Sequence, residues 1–186
     1  MLTFESDAVY ELAGRMPKID QDRIDFATQR QWLMANGLGP LANRAQTDLN
    51  TRVRKYRETL KCDSPTEAQP ACRVTVRLIA QTNRVGHPEQ VFAQFALAFE
   101  LAQAEPLVVG VNLVAPEDHE VALRDYRLHM RMVDDFARQL PDVPIALHAG
   151  ELAMGQVRPE DLRFHIRETV EIAKARRIGH GVAIRR

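Results

Sequence analysis

The hydrophobic pattern of the first 60 residues is helical, and it contains no run typical of a strand. Residues 20–35 predict a helix, because they end at Asn36-Gly37, a pair that commonly stops helices. A second predicted helix follows Pro40. Its apolar residues recur at intervals of 4, 3 and 4, as on one face of an amphipathic helix: Leu49, Val53, Tyr56 and Leu60. We therefore expect residues 1–60 to form an N-terminal helical segment.

Short apolar runs alternate with helical patterns from residue 72 to residue 186. Runs rich in β-branched and aliphatic residues predict strands. Strands are expected near residues 73–80, 107–114, 143–148 and 177–183. Helices are expected over residues 88–104, 120–140 and 160–175. In the last of these helices we expect three side chains to face inward: Leu162, Ile166 and Val170.

The spacing of the predicted strands indicates their topology. They start near residues 74, 107, 143 and 177, so successive starts are 33, 36 and 34 residues apart. This spacing favours parallel strands joined by crossover helices. It also matches one eighth of a (β/α)₈ barrel, which needs about 250 residues when complete. We therefore predict an α/β fold that is a partial TIM barrel of about four βα units. The rival is a doubly wound open sheet, but no G-x-G-x-x-G or P-loop motif occurs.

Composition and charge exclude some function classes. The chain has 25 Lys+Arg and 25 Asp+Glu, so a basic surface for nucleic-acid polymers or anionic membranes is not expected. No apolar run approaches the roughly 20 residues that span a bilayer. The first residues lack the pattern of a secretory signal. The compartment stays open between cytoplasmic and periplasmic or secreted, and the oligomeric state is not readable.

Two cysteines flank the predicted loop over residues 61–71. This loop contains two prolines and small polar residues. A disulfide between Cys62 and Cys72 would close it and would suit an oxidising compartment. Two ordinary thiols are an equal alternative, because two cysteines alone do not decide the compartment.

Three ionisable residues stand at the carboxyl ends of predicted strands, where parallel α/β folds bind their ligands. His148 ends the third strand and Glu151 follows it after a small Ala-Gly turn, while His180 belongs to the fourth strand. A neutral imidazole can bind zinc, and zinc lowers the pKa of bound water. A buried Glu151 carboxyl would hold a proton for a substrate nitrogen, and His180 would orient or deprotonate the water. We predict a hydrolytic site formed by these three residues.

Two motifs resemble the adenosine deaminase family, a group of zinc-dependent (β/α)₈ enzymes that convert adenosine to inosine and ammonia. They are L-H-A-G-E at Leu147–Glu151 and R-I-G-H-G at Arg177–Gly181. The segment Gly110–Glu117 also looks like the preceding strand of that family. The resemblance covers residues 72–184, and it is closest to bacterial members related to the adenosine deaminase growth factors.

The resemblance implies a zinc cofactor, a small purine nucleoside as substrate, and a role for each site residue. His148 looks like a zinc ligand. Glu151 looks like the donor of a proton to purine N1, and His180 like the histidine that orients the zinc-bound hydroxide. Ala115 stands where the family has a glycine whose backbone approaches the purine, so it is a candidate substrate contact. No partner in the form of a nucleic-acid polymer or a membrane is implied.

The chain also departs from the family pattern. No H-x-H occurs in the 186 residues, although the family's first strand supplies two zinc ligands through that motif. The paired Asp-Asp of the family's last strand has no counterpart, and Asn112 replaces an acidic residue. One histidine does not hold a catalytic zinc. We therefore expect the other zinc ligands to lie outside this chain and the chain alone to be inactive.

Two alternative functions remain at this point. One is deamination of a related purine, such as adenine, AMP or a modified nucleoside. The other is a binding or structural domain without catalytic activity, which the missing zinc ligands favour. The cytidine deaminase fold is a poor alternative because its combined H-x-E…P-C-x-x-C signature is absent.

Overall fold

A computed structural model describes residues 6–21 and 23–184. In this part of the chain the fold is mixed α/β, with seven α-helices and four short parallel strands. The helices are α1 Ser6–Arg15, α2 Phe26–Ala35, α3 Leu38–Thr59, α4 Pro88–Ala104, α5 Glu120–Arg124, α6 Tyr126–Gln139 and α7 His165–Glu171. The strands are β1 Leu78–Asn83, β2 Val108–Val114, β3 Ala146–Ala149 and β4 Arg177–His180. Short 3₁₀ helices cover Pro70–Arg73 and Pro159–Leu162.

The strands lie side by side in sequence order. β1 pairs with β2 in parallel, and β3 pairs with β4 in parallel. An isolated parallel bridge between Val111 and Ile145 joins the two pairs. The prediction of parallel strands with helical crossovers is therefore confirmed. The described strands do not close into a barrel.

The N-terminal helical segment contains no strand in its described residues, as expected.

The helix predicted over residues 20–35 begins only at Phe26, because Asp25 caps it by accepting a hydrogen bond from the Thr28 backbone N–H at 3.2 Å. Helix α3 follows the predicted apolar face only in part. Leu49 is fully buried, whereas Tyr56 is 56% exposed near the C-terminal end of the helix.

The first strand differs from its prediction over residues 73–80. Residues 74–77 are not part of a strand, and the strand extends to Asn83. The reason is the length of its partner: Leu78 lies opposite Val108, the first residue of β2, so β2 has no residue to pair with the earlier segment. Val74 and Val76 are accordingly exposed.

The other predicted boundaries also need correction. The helix expected over residues 120–140 is divided at Asp125, which leaves the helical region with φ −100° and ψ 8°. The helix expected over residues 160–175 is reduced to α7, where His165 and Thr169 face inward and Val170 is exposed. The strand expected over residues 143–148 is observed over Ala146–Ala149, and Ile145 before it makes an isolated bridge to Val111.

The fourth strand is shorter than the predicted residues 177–183. His180 and Gly181 have φ values of 70° and 65°, so the chain leaves the extended conformation at this point. Because a left-handed residue cannot continue a parallel strand, the ladder ends at His180.

Helix α4 forms the centre of the core. Its side chains Phe92, Phe95 and Phe99 are fully buried. Phe26 of α2 stacks on Phe92 with ring centroids 5.2 Å apart, and Phe136 of α6 contacts Phe92 at 4.9 Å. The N-terminal helices and the strand-bearing region therefore share one hydrophobic core. None of the described helices is long and apolar enough to cross a membrane.

Cys62 and Cys72 form a disulfide in the structure, with their Cα atoms 5.4 Å apart. This resolves the alternative left open by the sequence. The bond closes the loop after α3, whose backbone is also held by a hydrogen bond from Gln69 N–H to the Leu60 carbonyl at 3.1 Å. A disulfide of this kind restricts the unfolded chain.

Removing the disulfide is expected to lower the stability of the protein. The two cysteines are separated by 10 residues in sequence, and closing a loop of that length contributes about 2–3 kcal/mol to the free energy of unfolding. The Cys62→Ser/Cys72→Ser variant should therefore unfold at a lower urea concentration than the oxidised protein. Reduced wild type is the matched control, and it should unfold with the variant. Equal midpoints for the oxidised protein and the variant would contradict this expectation.

Gly110 is the point where β2 approaches the segment before β3 most closely. A β-carbon at Gly110 would lie 2.7 Å from the Pro144 carbonyl oxygen, and Val111 N–H donates to the same oxygen at 3.0 Å. Because a backbone atom cannot rotate away, we expect Gly110→Ala to lower the free energy of unfolding by about 2–3 kcal/mol. Gly39→Ala, in α3 with open space around it, should leave it unchanged or slightly raised. Urea denaturation of both variants checks this difference.

Candidate active site

A cavity of about 690 Å³ opens at the carboxyl ends of the strands. All four strands contribute to its lining, at Gln81, Val114, His148 and His180. The loops that follow β2 and β3 complete the lining of the cavity. Parallel α/β folds bind ligands at this edge of the sheet, so the cavity is the candidate active site.

The structure brings the three predicted ionisable residues together in this cavity. The rings of His148 and His180 meet edge to face, with centroids 4.8 Å apart. His180 Nε2 lies 3.3 Å from Glu151 Oε2. The parallel register of β3 and β4 explains this proximity, because Ala149 lies opposite His180. Residues from two strand ends thus form one polar cluster.

Two glycines of the motifs allow this packing. Gly150 has φ +73°, and a β-carbon there would lie 2.7 Å from Ile166 Cδ1. Gly179 lies under the His148 ring, where a β-carbon would be 2.6 Å from Cδ2. The first glycine turns the chain between His148 and Glu151, and the second makes room for the imidazole.

His148 is held from β2 by Asn112. The Asn112 side-chain oxygen accepts hydrogen bonds from two backbone amides, the His148 N–H at 3.0 Å and the Leu113 N–H at 2.8 Å. Burial lowers the pKa of His148, and the neighbouring His180 lowers it further. The imidazole is therefore favoured in its neutral form, which is the form that can accept a proton or bind a metal.

Glu151 differs from its prediction as a buried carboxyl. Its side chain is 55% exposed, and that of His180 is 33% exposed. The reason is that the described residues leave the mouth of the cavity open above the turn at Gly150. The Glu151 backbone is nevertheless anchored, since its N–H donates to Glu117 Oε2 at 2.9 Å.

Ala115 follows β2 and lines the cavity, as its candidate role requires. Its φ is 84°, in the left-handed region that side chains other than glycine adopt only with strain. The backbone here therefore has the conformation of a glycine, while the methyl group of alanine stands beside the cavity.

The sequence places Arg84 and Glu117 at the ends of two predicted strands, where Glu117 could line a pocket, but it does not predict that the two residues pair. Their side chains are 0% and 1% exposed, and Arg84 Nη1 lies 3.4 Å from Glu117 Oε1. The available sequence signal was their position, because each follows the carboxyl end of one of two neighbouring strands. Burial of an ion pair is not visible in such a pattern.

The described residues do not fit a zinc ion by themselves. They contain no group of three or more His, Cys, Asp or Glu side chains placed to hold a metal. A catalytic zinc needs about three protein ligands and a water, and His148 is the one candidate that the motifs identify.

Comparisons of the chain with protein-family models, with curated proteins and with solved structures give no match. The two motifs supply His148, Glu151 and His180 to the lining of the cavity. Both motifs end at the same edge of the sheet.

Proposed function

We propose that the protein is an adenosine deaminase-like hydrolase, which replaces the 6-amino group of a purine nucleoside by oxygen and releases ammonia. One observation carries the proposal: His148, Glu151 and His180, from the two motifs, converge on one cavity at the strand ends. The four parallel strands in sequence order support the associated proposal that they belong to a (β/α)₈ barrel.

Two side chains of this chain would transfer protons during the reaction. Glu151, when protonated, donates to N1 of the purine and makes C6 electron-poor. His180 accepts a proton from the water whose oxygen forms a bond to C6. The 3.3 Å separation of the two side chains allows the proton to pass between them. The amine then takes up the proton held by His180, the C–N bond breaks and ammonia leaves. The hydroxyl group at C6 returns its proton to Glu151 and becomes the 6-oxo group.

The zinc implied by the resemblance belongs to this proposal only with further ligands. His148 would be one of them, and its neutral imidazole suits that role. The others would come from residues outside the 186 of this sequence. The chain alone is accordingly expected to be inactive.

The cavity favours an uncharged nucleoside over a nucleotide. Its volume of about 690 Å³ lies within the range of small-molecule sites. Among the described residues, those lining it include no Lys or Arg, and Asp118 adds a carboxyl group. A phosphate would therefore find no cationic side chain in this lining. We therefore expect adenosine to be a better substrate than AMP. Adenine and modified nucleosides remain alternative substrates.

A substrate panel tests the proposed function. The protein expressed from the entire open reading frame is supplied with zinc and with adenosine, adenine or AMP, and ammonia release is measured. Ammonia from adenosine, accompanied by the change of ultraviolet absorbance to that of inosine, is the expected result. No ammonia from any of the three with zinc present would reject the proposal.

A domain without catalytic activity is the second candidate. The observation that favours it is the lack of a metal-binding group in the described part of the chain. Calorimetric zinc titration of the 186-residue chain tests whether the chain supplies enough ligands to bind zinc by itself. Sub-micromolar binding of one zinc ion would show that the chain supplies more ligands than His148.

A further inference from the structure

We propose that the buried ion pair between Arg84 and Glu117 is a positioning device that holds the Glu151 loop against the carboxyl ends of β2 and β3. Neither residue belongs to the two motifs. Both are buried at the carboxyl ends of β1 and β2, with exposed side-chain fractions of 0% and 1%, and Glu117 also lines the cavity. The consequence for catalysis rests on the proposed function, whereas the positioning itself does not.

Arg84 connects the first three strands. It follows β1, and its Nη2 donates to the carbonyl oxygens of Leu113 at 2.8 Å and His148 at 3.1 Å. Its Nε donates to the Val114 carbonyl at 3.3 Å. The planar guanidinium thus reaches carbonyls on both β2 and β3 from one position. A lysine lacks this rigid arrangement of donors.

Glu117 uses its two oxygens for different partners. Oε1 lies 3.4 Å from Arg84 Nη1. Oε2 accepts the Glu151 backbone N–H at 2.9 Å. The Glu117 carboxylate therefore links the Arg84 guanidinium to the backbone of Glu151, the proposed acid of the site.

Stability alone explains this pair poorly. Removing two charges from water costs about as much as their attraction returns, so a buried ion pair of this type adds little net stability compared with apolar side chains. What the pair provides is a defined geometry. Residues 151–153 have no regular secondary structure, and the Glu151 side chain is 55% exposed. The bond to Glu117 is thus a fixed point for an otherwise irregular segment.

Hydrogen exchange of the Glu151 amide tests the positioning directly. The Arg84→Met/Glu117→Leu variant removes both charges together, so neither is left unpaired in the interior. We expect the Glu151 amide to exchange at least about tenfold faster in this variant, because it loses a bond to a charged acceptor. Glu117→Gln retains a side-chain oxygen and should give an intermediate rate. It also keeps the test valid if the double variant does not fold.

The matched control breaks a half-buried ion pair far from the cavity. Asp135 pairs with Arg30 between α6 and α2, and the two side chains are 12% and 22% exposed. Asp135→Asn should leave Glu151 amide exchange unchanged relative to other amides at the strand ends. Faster exchange spread evenly over the chain in the Glu117 variants, as general destabilisation would produce, overturns the proposal. So does an amide that remains protected in the double variant.

Kinetics of the protein from the entire open reading frame give the second readout. Displacement of Glu151 should lower kcat by about 10–100-fold while KM changes less than about threefold. A double variant with wild-type kcat would overturn the proposal. If the wild type releases no ammonia from any purine, the proposed function fails, and the exchange rates still decide whether the pair positions the loop.

Discussion

Replacing Glu151 by Gln lowers kcat/KM for adenosine by about 10²–10⁴-fold, the range expected when a general acid is removed. Glutamine has nearly the same shape, and its amide oxygen can still accept a hydrogen bond from His180, but its amide group is not acidic enough to transfer a proton to N1. The contact between His180 Nε2 and Glu151 Oε2 at 3.3 Å makes this a small geometric change. The loss should therefore appear in kcat, with KM little altered.

The measurement is ammonia release by the protein from the entire open reading frame with zinc supplied. Glu171→Gln is the matched control, because Glu171 is an exposed residue at the end of α7. It should retain wild-type kinetics. A Glu151→Gln variant with full activity would remove Glu151 from the proposed mechanism, and the convergence of the three side chains would then need another explanation.

Acid is expected to destabilise the fold strongly, because two histidines are buried in the neutral form. His129 and His165 are 0% and 1% exposed, and their ring nitrogens have no hydrogen-bond partner among the described residues. Burial lowers the pKa of each to about 4. His165 packs between the rings of Tyr126 and Phe164, at 4.3 and 4.2 Å.

The direction of the effect follows from proton binding. Below the ordinary pKa of 6.5 the unfolded chain binds a proton at each histidine, whereas the folded protein binds it only near pH 4. The unfolded state therefore gains protons first, and stability falls as the pH decreases through this window. The pKa shift of His129 is opposed by Asp125 and reinforced by Arg84 and Arg124. Each histidine contributes up to about 1.4 kcal/mol per pH unit, or about 3 kcal/mol over the window.

Urea denaturation between about pH 7 and pH 4.5 measures this slope. His165→Phe should reduce the slope by about half, since a phenyl ring suits the contacts with Tyr126 and Phe164 and does not titrate. His129 is unchanged in that variant and should account for the remainder. Equal slopes for the wild type and His165→Phe would contradict the assignment of the acid sensitivity to buried histidines.

Local patterns in the sequence were sufficient for the fold class and for the three ionisable residues. Apolar runs recurring about every 34 residues predict parallel strands with helical crossovers, because each run and each helical face depends on near neighbours in the chain. The strand-end positions of His148 and His180 follow from the same reasoning. Neighbouring parallel strands bring their carboxyl ends to one edge, and this is where the structure places the cavity.

Boundaries were harder to predict because they depend on the partner of each element. β1 begins at Leu78 because β2 begins at Val108, and residues 74–77 have strand composition without a pairing partner in the described structure. α7 presents His165 and Thr169 inward, so the apolar Val170 is exposed. The pattern of apolar and polar side chains depends on neighbouring residues in the sequence. The surface against which each side chain packs depends on residues that are distant in the sequence.

The sequence by itself determined the α/β class, the parallel topology and the positions of His148, Glu151 and His180 in it. Only the tertiary structure decided that Cys62 and Cys72 are bonded, and that Arg84 and Glu117 form a buried ion pair. The physical reason is distance along the chain. The Glu151 amide meets Glu117 across 34 residues, and Arg84 meets the His148 carbonyl across 64. Periodicity contains no information about such contacts, because they form only when the packed strands bring these groups together.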